Sequence, residues 1–161
     1  MGVMDEAEEL HLTTAAEWRA WLAENGDRAE GVWLVQYKQR TGKQAIAYED
    51  AVCEALCFGW IDSTYRSLDD ERGALWWSPR RKGSLWAGSN KERVRRLEAE
   101  GRMTDAGRAA IERAKADGSW ALLEPVEALV VPDDLAAALA ARRGARERWE
   151  AMTPTDRRAY L

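Results

Sequence analysis

Apolar side chains recur at three- and four-residue steps over 15–25, where Trp18, Trp21 and Leu22 would share one face of a helix. Thr14 and Glu17 stand at capping-box spacing, and Asn25-Gly26 supplies a stop. The run from Val32 to Lys38 is dense in β-branched and aromatic residues, bounded by Gly31 and by Thr41-Gly42, and predicts a strand. A second helix is predicted over about 48–58, with Val52, Ala55, Leu56 and Gly59 on its buried side. From Trp60 to Leu68 the period falls to two. Trp60, Asp62, Thr64, Arg66 and Leu68 would share one face, and Ile61, Ser63, Tyr65 and Ser67 the other. Residues 69–73 form a polar turn, and 74–78 return as the partner strand of a hairpin. Pro79 ends that strand because it has no N–H for the next ladder bond. Trp76 and Trp77, adjacent in the strand, must point to opposite faces.

Beyond Pro79 the pattern is helical. Ser89 and Glu92 suggest a cap for a helix running to Glu100 and closed by Gly101; Thr104 opens another through Asp117, closed by Gly118. Asp133 and Asp134 begin a helix over 135–143, with Leu135, Ala138 and Leu139 as a narrow apolar stripe. Gly144 interrupts before an arginine-rich stretch around Trp149, and Thr153-Pro154-Thr155-Asp156 reads as one more helix start. The predicted class is α+β: a small sheet packed by helices over 12–125, a helical C-terminal extension over 126–161 packed on or near it, and a poorly ordered N-terminus over 1–11.

Composition fits one such domain: 161 residues, 46% hydrophobic and 32% charged. The net charge of −4 hides an asymmetry. Residues 1–80 carry 8 basic and 15 acidic side chains, whereas 81–161 carry 16 and 13. Between Arg80 and Arg96 seven basic residues are opposed only by Glu92, a local excess that attracts anions. The acidic N-terminus has no secretory h-region, Glu6 breaks the myristoylation pattern, and no stretch approaches the ~18 apolar residues of a membrane span. A cytoplasmic location is expected. Cys53 and Cys57 would share a helical face; with a single His in the chain, no metal is expected, and no cofactor. Their bland reading is as small buried hydrophobes. A nucleophilic Cys57 would sit at a helix C-terminus, where the dipole opposes a thiolate.

Candidate chemistry concentrates in 55–90, which holds four of the nine tryptophans. Asp62 can pair with Arg80 or Arg66, meet a ligand, or act as a general base, although no His stands near it in sequence. Arg80, Ser84 and Asn90, with backbone amides at a helix start, suit an anionic or carbonyl group. The alternative is a solvated loop whose Ser89 only caps its helix. Trp60, Trp77 and Trp86 can wall a ligand pocket or fill the core. Arg93, Arg95 and Arg96 can meet nucleic acid or form a salt-bridged surface; a pI near 5.2 favours the second.

The words Ala-Leu-Cys-Phe-Gly-Trp-Ile-Asp-Ser (55–63) and Ser78-Pro79-Arg80, Ser84, Trp86 and Asn90 resemble the YdeI/OmpD-associated, bacteriocin-protection (OmdA-type) family. The resemblance implies a fold related to the YjbR/CyaY-like superfamily, with helices on one face of a small twisted antiparallel sheet. It also implies a protective role against bacteriocins and antimicrobial peptides. Members of that family usually continue past the last residue here with a basic helical tail, which this chain is expected to lack. The expectation is a non-catalytic cytoplasmic protein holding a small polar or amphipathic molecule, or a peptide, near Trp60, Asp62, Ser63, Trp77, Arg80, Ser84, Trp86 and Asn90. The alternatives are a nucleic-acid-associated stress protein using 80–96, and an enzyme built on Asp62 or Cys57.

Overall fold

The predicted first helix forms with its predicted cap. In the computed structural model, which describes Met4 and residues 7–161, α1 (Ala15–Asn25) begins at Thr14, whose hydroxyl accepts from the Glu17 N–H at 3.2 Å. The Glu17 carboxylate accepts from the Thr14 N–H at 3.0 Å, completing the box. The remaining strands are β1 (Glu9–Leu10), β2 (Val32–Tyr37), β3 (Trp60–Ser67) and β4 (Arg72–Pro79). The remaining helices are α2 (Tyr48–Cys57), α3 (Gly88–Ala99), α4 (Asp105–Asp117), α5 (Glu124–Glu127), α6 (Asp133–Ala140), α7 (Ala145–Ala151) and α8 (Pro154–Arg158).

The strands form one sheet in the order β1-β2-β4-β3. β4 is the central strand, antiparallel to both β2 and β3. β1 pairs parallel to β2, so the sheet is mixed rather than wholly antiparallel. That strand falls within the residues expected to be poorly ordered; of the same stretch, residues 1–3, 5 and 6 lie outside the described residues.

The period-two reading of β3 holds only to Asp62. Asp62 pairs with Trp77 and Tyr65 with Leu75, so one extra residue is inserted between them. This bulge exchanges the faces of everything after it. Tyr65 therefore joins Asp62 on the helix-covered face, while Arg66 turns to the other side and sits 4.1 Å over the Trp33 ring.

Helices α1–α4 cover one face of the sheet. There Val32, Leu34 and Trp77 pack with Trp18 and Leu22 of α1, Val52, Ala55 and Leu56 of α2, Val94 and Leu97 of α3, and Ile111 of α4. Each fully buried aliphatic side chain such as Leu22, Leu56 or Leu97 contributes about 1.5–3 kcal/mol. Trp33, Val35, Ala74 and Trp76 occupy the opposite face as a smaller cluster, against Met4, Ala7 and Leu68. The adjacent indoles of Trp76 and Trp77 do point to opposite faces.

Two features of the helical half depart from the sequence pattern. Ser89 lies inside α3 rather than at its cap; the N-cap is Ala87, without a side-chain bond. α5, four residues long, was invisible to a periodicity argument. It is tied to α3 by Glu124, whose carboxylate accepts from Lys91 Nζ at 2.8 Å. No helix among the described residues is long and apolar enough to cross a membrane.

Gly31, immediately before β2, sets how closely the sheet can be approached: a Cβ there would overlap the Trp76 ring and lie 2.5 Å from the Trp77 carbonyl oxygen. Gly31→Ala is therefore expected to destabilise by about 1–3 kcal/mol in urea unfolding, the typical cost of overpacking. An unchanged midpoint would contradict the packing of Trp76 and Trp77 described here.

Candidate functional site

The tryptophans singled out by the sequence are core. Trp60 and Trp77 are buried beneath Trp18, whose ring lies 6.4 Å from the first and 5.7 Å from the second. Trp21 adds an edge contact to Trp60 at 5.7 Å. The Trp60 Nε1–H donates to the Gly26 carbonyl at 2.9 Å, so the indole is both enclosed and satisfied. Trp86 is likewise sealed. Its ring carries the Arg80 guanidinium at 3.7 Å and packs against Trp120 at 4.9 Å. Neither Trp60 nor Trp86 has a face left for a solute, and the expected hollow between them is filled.

Arg80 is 6% exposed and donates from Nη1 to the Leu85 carbonyl at 3.0 Å. Its Nε and Nη2 are buried without partners. Burial pushes its pKa down to about 10, with the Asp62 charge opposing that shift. Asp62 is not bonded to it; its carboxylate accepts from the Tyr48 hydroxyl at 3.0 Å. The helix start expected to receive an anion already holds one, because Glu127 of α5 accepts from the Gly88 N–H at 2.6 Å. Asn90 accepts from Arg93 Nη1 at 2.9 Å, and Ser84 accepts from the Arg81 N–H at 3.0 Å, a bond within its own turn. Ser63 and Ser84 do meet, with Ser78 and Arg81, around a shallow depression of 300 Å³ on the face away from the helices. The eight expected residues thus divide among the core, the loop and both faces of the sheet.

The basic run is engaged by carboxylates. Glu49 receives Arg93 at 2.7 Å and Arg96 at 2.9 Å, and Arg95 pairs with Glu92. Bonds from Arg93, then Arg96, hold the Glu49 carboxyl well below its usual 4.5, at about 2. Cys53 and Cys57 are buried free thiols whose pKa values burial pushes up, the opposite of an activated nucleophile. No group of three or more potential metal-ligating side chains occurs among the described residues.

One accessible cleft does stand on the helix face. It has a volume of 220 Å³ and lies between the start of α2 and the sheet. Trp77, Leu75, Leu34 and Tyr65 line it from the sheet, Ile46, Tyr48 and Ala51 from the helix side, and Tyr37 from the end of β2. Gln36 fixes its mouth: its side chain accepts from the Ile46 N–H at 2.6 Å and donates to the Leu12 carbonyl at 2.7 Å. Tyr65 lies across Gly73, where any Cβ would overlap the phenol. The Tyr48 and Tyr65 rings are 57% and 59% exposed. The Trp77 Nε1–H is buried without a hydrogen-bond partner. Burial, then the bond to Asp62, raises the Tyr48 pKa, so its hydroxyl stays a donor.

Of the expected set, the cleft uses Trp77 directly and Asp62 through Tyr48. Sequence reasoning missed Tyr48, Tyr65 and Gln36. Gly73 inside a strand was the available signal, since such a glycine often marks a close approach.

Residues 10–110 match the model of a domain of unknown function (DUF8412). Residues 128–161 match that of the Bacteriocin-protection, YdeI or OmpD-Associated proteins. The central words that suggested the second family lie within the first match, whereas the second match falls on α6, α7 and α8. No curated protein and no solved structure matches the chain.

The Glu49 pair gives a pH signature. A depressed carboxylate pKa contributes stability above its unfolded value of about 4.5 and loses it as the pH falls towards about 2. The side chain is 47% exposed, so the pair is worth at most about 1 kcal/mol. Glu49→Gln is expected to unfold at a lower temperature than wild type at pH 6, with the gap closing between pH 4.5 and 2. A gap independent of pH would contradict the ion pair.

Proposed function

The chain belongs to a family of domains of unknown function, DUF8412, and we propose that it is a non-catalytic cytoplasmic binding protein whose ligand enters the cleft between Tyr48, Tyr65 and Trp77. The protective role of the YdeI/OmpD-associated type is part of the same proposal, supported by the match over 128–161. So is a relation to the YjbR/CyaY-like superfamily, which the packing of α1–α4 on one sheet face favours.

The observation that carries the reading is the chemistry of the cleft wall. It is apolar and aromatic over most of its surface, with few polar groups, the usual composition of a small-molecule site. Asp62, reached through the Tyr48 hydroxyl, favours a donor or a cation. Exposed tyrosine faces add cation–π attraction. The ligand class is an amphipathic molecule with an apolar or aromatic body and an ammonium or similar donor.

The basic stretch offers less to nucleic acid than its sequence suggested, because Arg93, Arg95 and Arg96 are already paired. An enzymatic reading would need a reactive group at Asp62 or Cys57, and the second is a sealed, deactivated thiol.

A panel of aryl-alkyl ammonium compounds and their uncharged alcohol analogues tests the proposal by thermal shift. An ammonium at ~100 times its dissociation constant should add about 2.7 kcal/mol of stability. Tyr65→Ala is expected to weaken binding tenfold or more, and Asp62→Asn to remove the preference for the ammonium over the alcohol. If no member of the panel shifts the wild-type midpoint, the cleft reading fails. If Asp62→Asn leaves the preference intact, the role of Asp62 fails with it.

A further inference from the structure

The arginines of the sheet-containing part are largely neutralised where they stand: Arg19 and Arg102 by Glu54, Arg93 and Arg96 by Glu49, Arg108 by Glu98. The C-terminal helices differ. Arg142, Arg143 and Arg148 are exposed, and none has an ion-pair or side-chain hydrogen-bond partner among the described residues. They surround a groove of 300 Å³ whose floor is formed by Leu139 of α6 and by Trp149 and Met152 at the end of α7. No carboxylate lines the groove, so an anionic occupant would meet these guanidinium groups without a competing partner there.

We propose that this groove docks an acidic peptide segment of another protein, with one bulky apolar side chain on the floor and flanking carboxylates paired with Arg142, Arg143 and Arg148. Three observations select this occupant. A planar guanidinium fork matches a carboxylate in two parallel bonds, so three unpaired arginines suit a segment rich in Asp and Glu. The apolar floor lies in a shallow concavity, with Trp149 8% exposed and flanked by Tyr160 at 6.4 Å. A recess accepts a protruding side chain, whereas a lipid surface is entered by apolar groups that protrude from the protein. A nucleic-acid backbone has no apolar side chain for the floor. The groove is separate in sequence from the aromatic cleft, and its occupant has the opposite charge from the cleft's proposed ligand.

The test is fluorescence anisotropy with the full chain and a labelled synthetic peptide carrying one Phe flanked on both sides by Asp and Glu. Saturable binding is expected. It should weaken tenfold or more with Arg148→Glu, with Arg142→Glu, with an Asn/Gln version of the peptide, and with an Ala replacing its Phe. Tyr65→Ala, in the cleft, should leave it unchanged, so failure here and failure of the cleft reading are separable. Both arginines are exposed and unbonded, and an unchanged unfolding midpoint confirms that their variants fold. No saturable binding would overturn the proposal. So would equal affinity for the peptide lacking Phe, or tighter binding of single-stranded RNA or anionic vesicles than of the peptide.

Discussion

The contact of Trp18 with Trp60 and Trp77 holds α1 to the sheet, and the geometry of the cleft depends on it. Trp18 donates to the Ala51 carbonyl at 3.1 Å, which also fixes the first turns of α2 against α1. Trp60 donates to Gly26 at the end of α1. These bonds satisfy two buried donors that would otherwise cost about 1–3 kcal/mol each. With α2 held in that position, Tyr48 and Ala51 face Leu75, Trp77 and Tyr65 of the sheet across the cleft. The cleft is thus a by-product of how three indoles set the helix layer.

Much of this was legible in the sequence, for reasons that can be named. The capping box at Thr14, the αL closure at Gly118 and the opposed indoles of Trp76 and Trp77 follow from local rules that tertiary structure had no reason to override. The bulge after Asp62 was not legible, because a polar run such as Ser63-Thr64 tolerates either register until its partner strand is known. The site was harder still. Interleaved Trp and Arg residues read equally well as a pocket or as a core; Arg80 resting on Trp86 shows that a guanidinium can be part of the packing. The carboxylate that caps α3 came from Glu127, thirty-nine residues away, a distance at which spacing carries no information.

Charge is organised by region rather than spread evenly. Around α2 and α3, single glutamates such as Glu49 and Glu54 each bind two arginines, so much of the positive charge there is already engaged. Arg142 and Arg143 between α6 and α7, and Arg148 in α7, have no such partners among the described residues and line a shallow apolar groove. This difference follows the division of the chain between the two family matches, 10–110 and 128–161. One part offers a cleft with a nearby carboxylate, the other a groove rimmed by guanidinium groups, so cationic and anionic ligands would sort between them.

Indole N–H hydrogen exchange, followed residue by residue by NMR, examines the foundation most directly. If Trp18 and Trp60 are the sealed joint between the helix layer and the sheet, their Nε1 protons should exchange only through global unfolding, with protection equal to the full stability measured in denaturant. Rapid exchange at Trp60 under native conditions, while the backbone of α1 and β4 stays protected, would mean that the joint opens to solvent and that the ligand site belongs there after all.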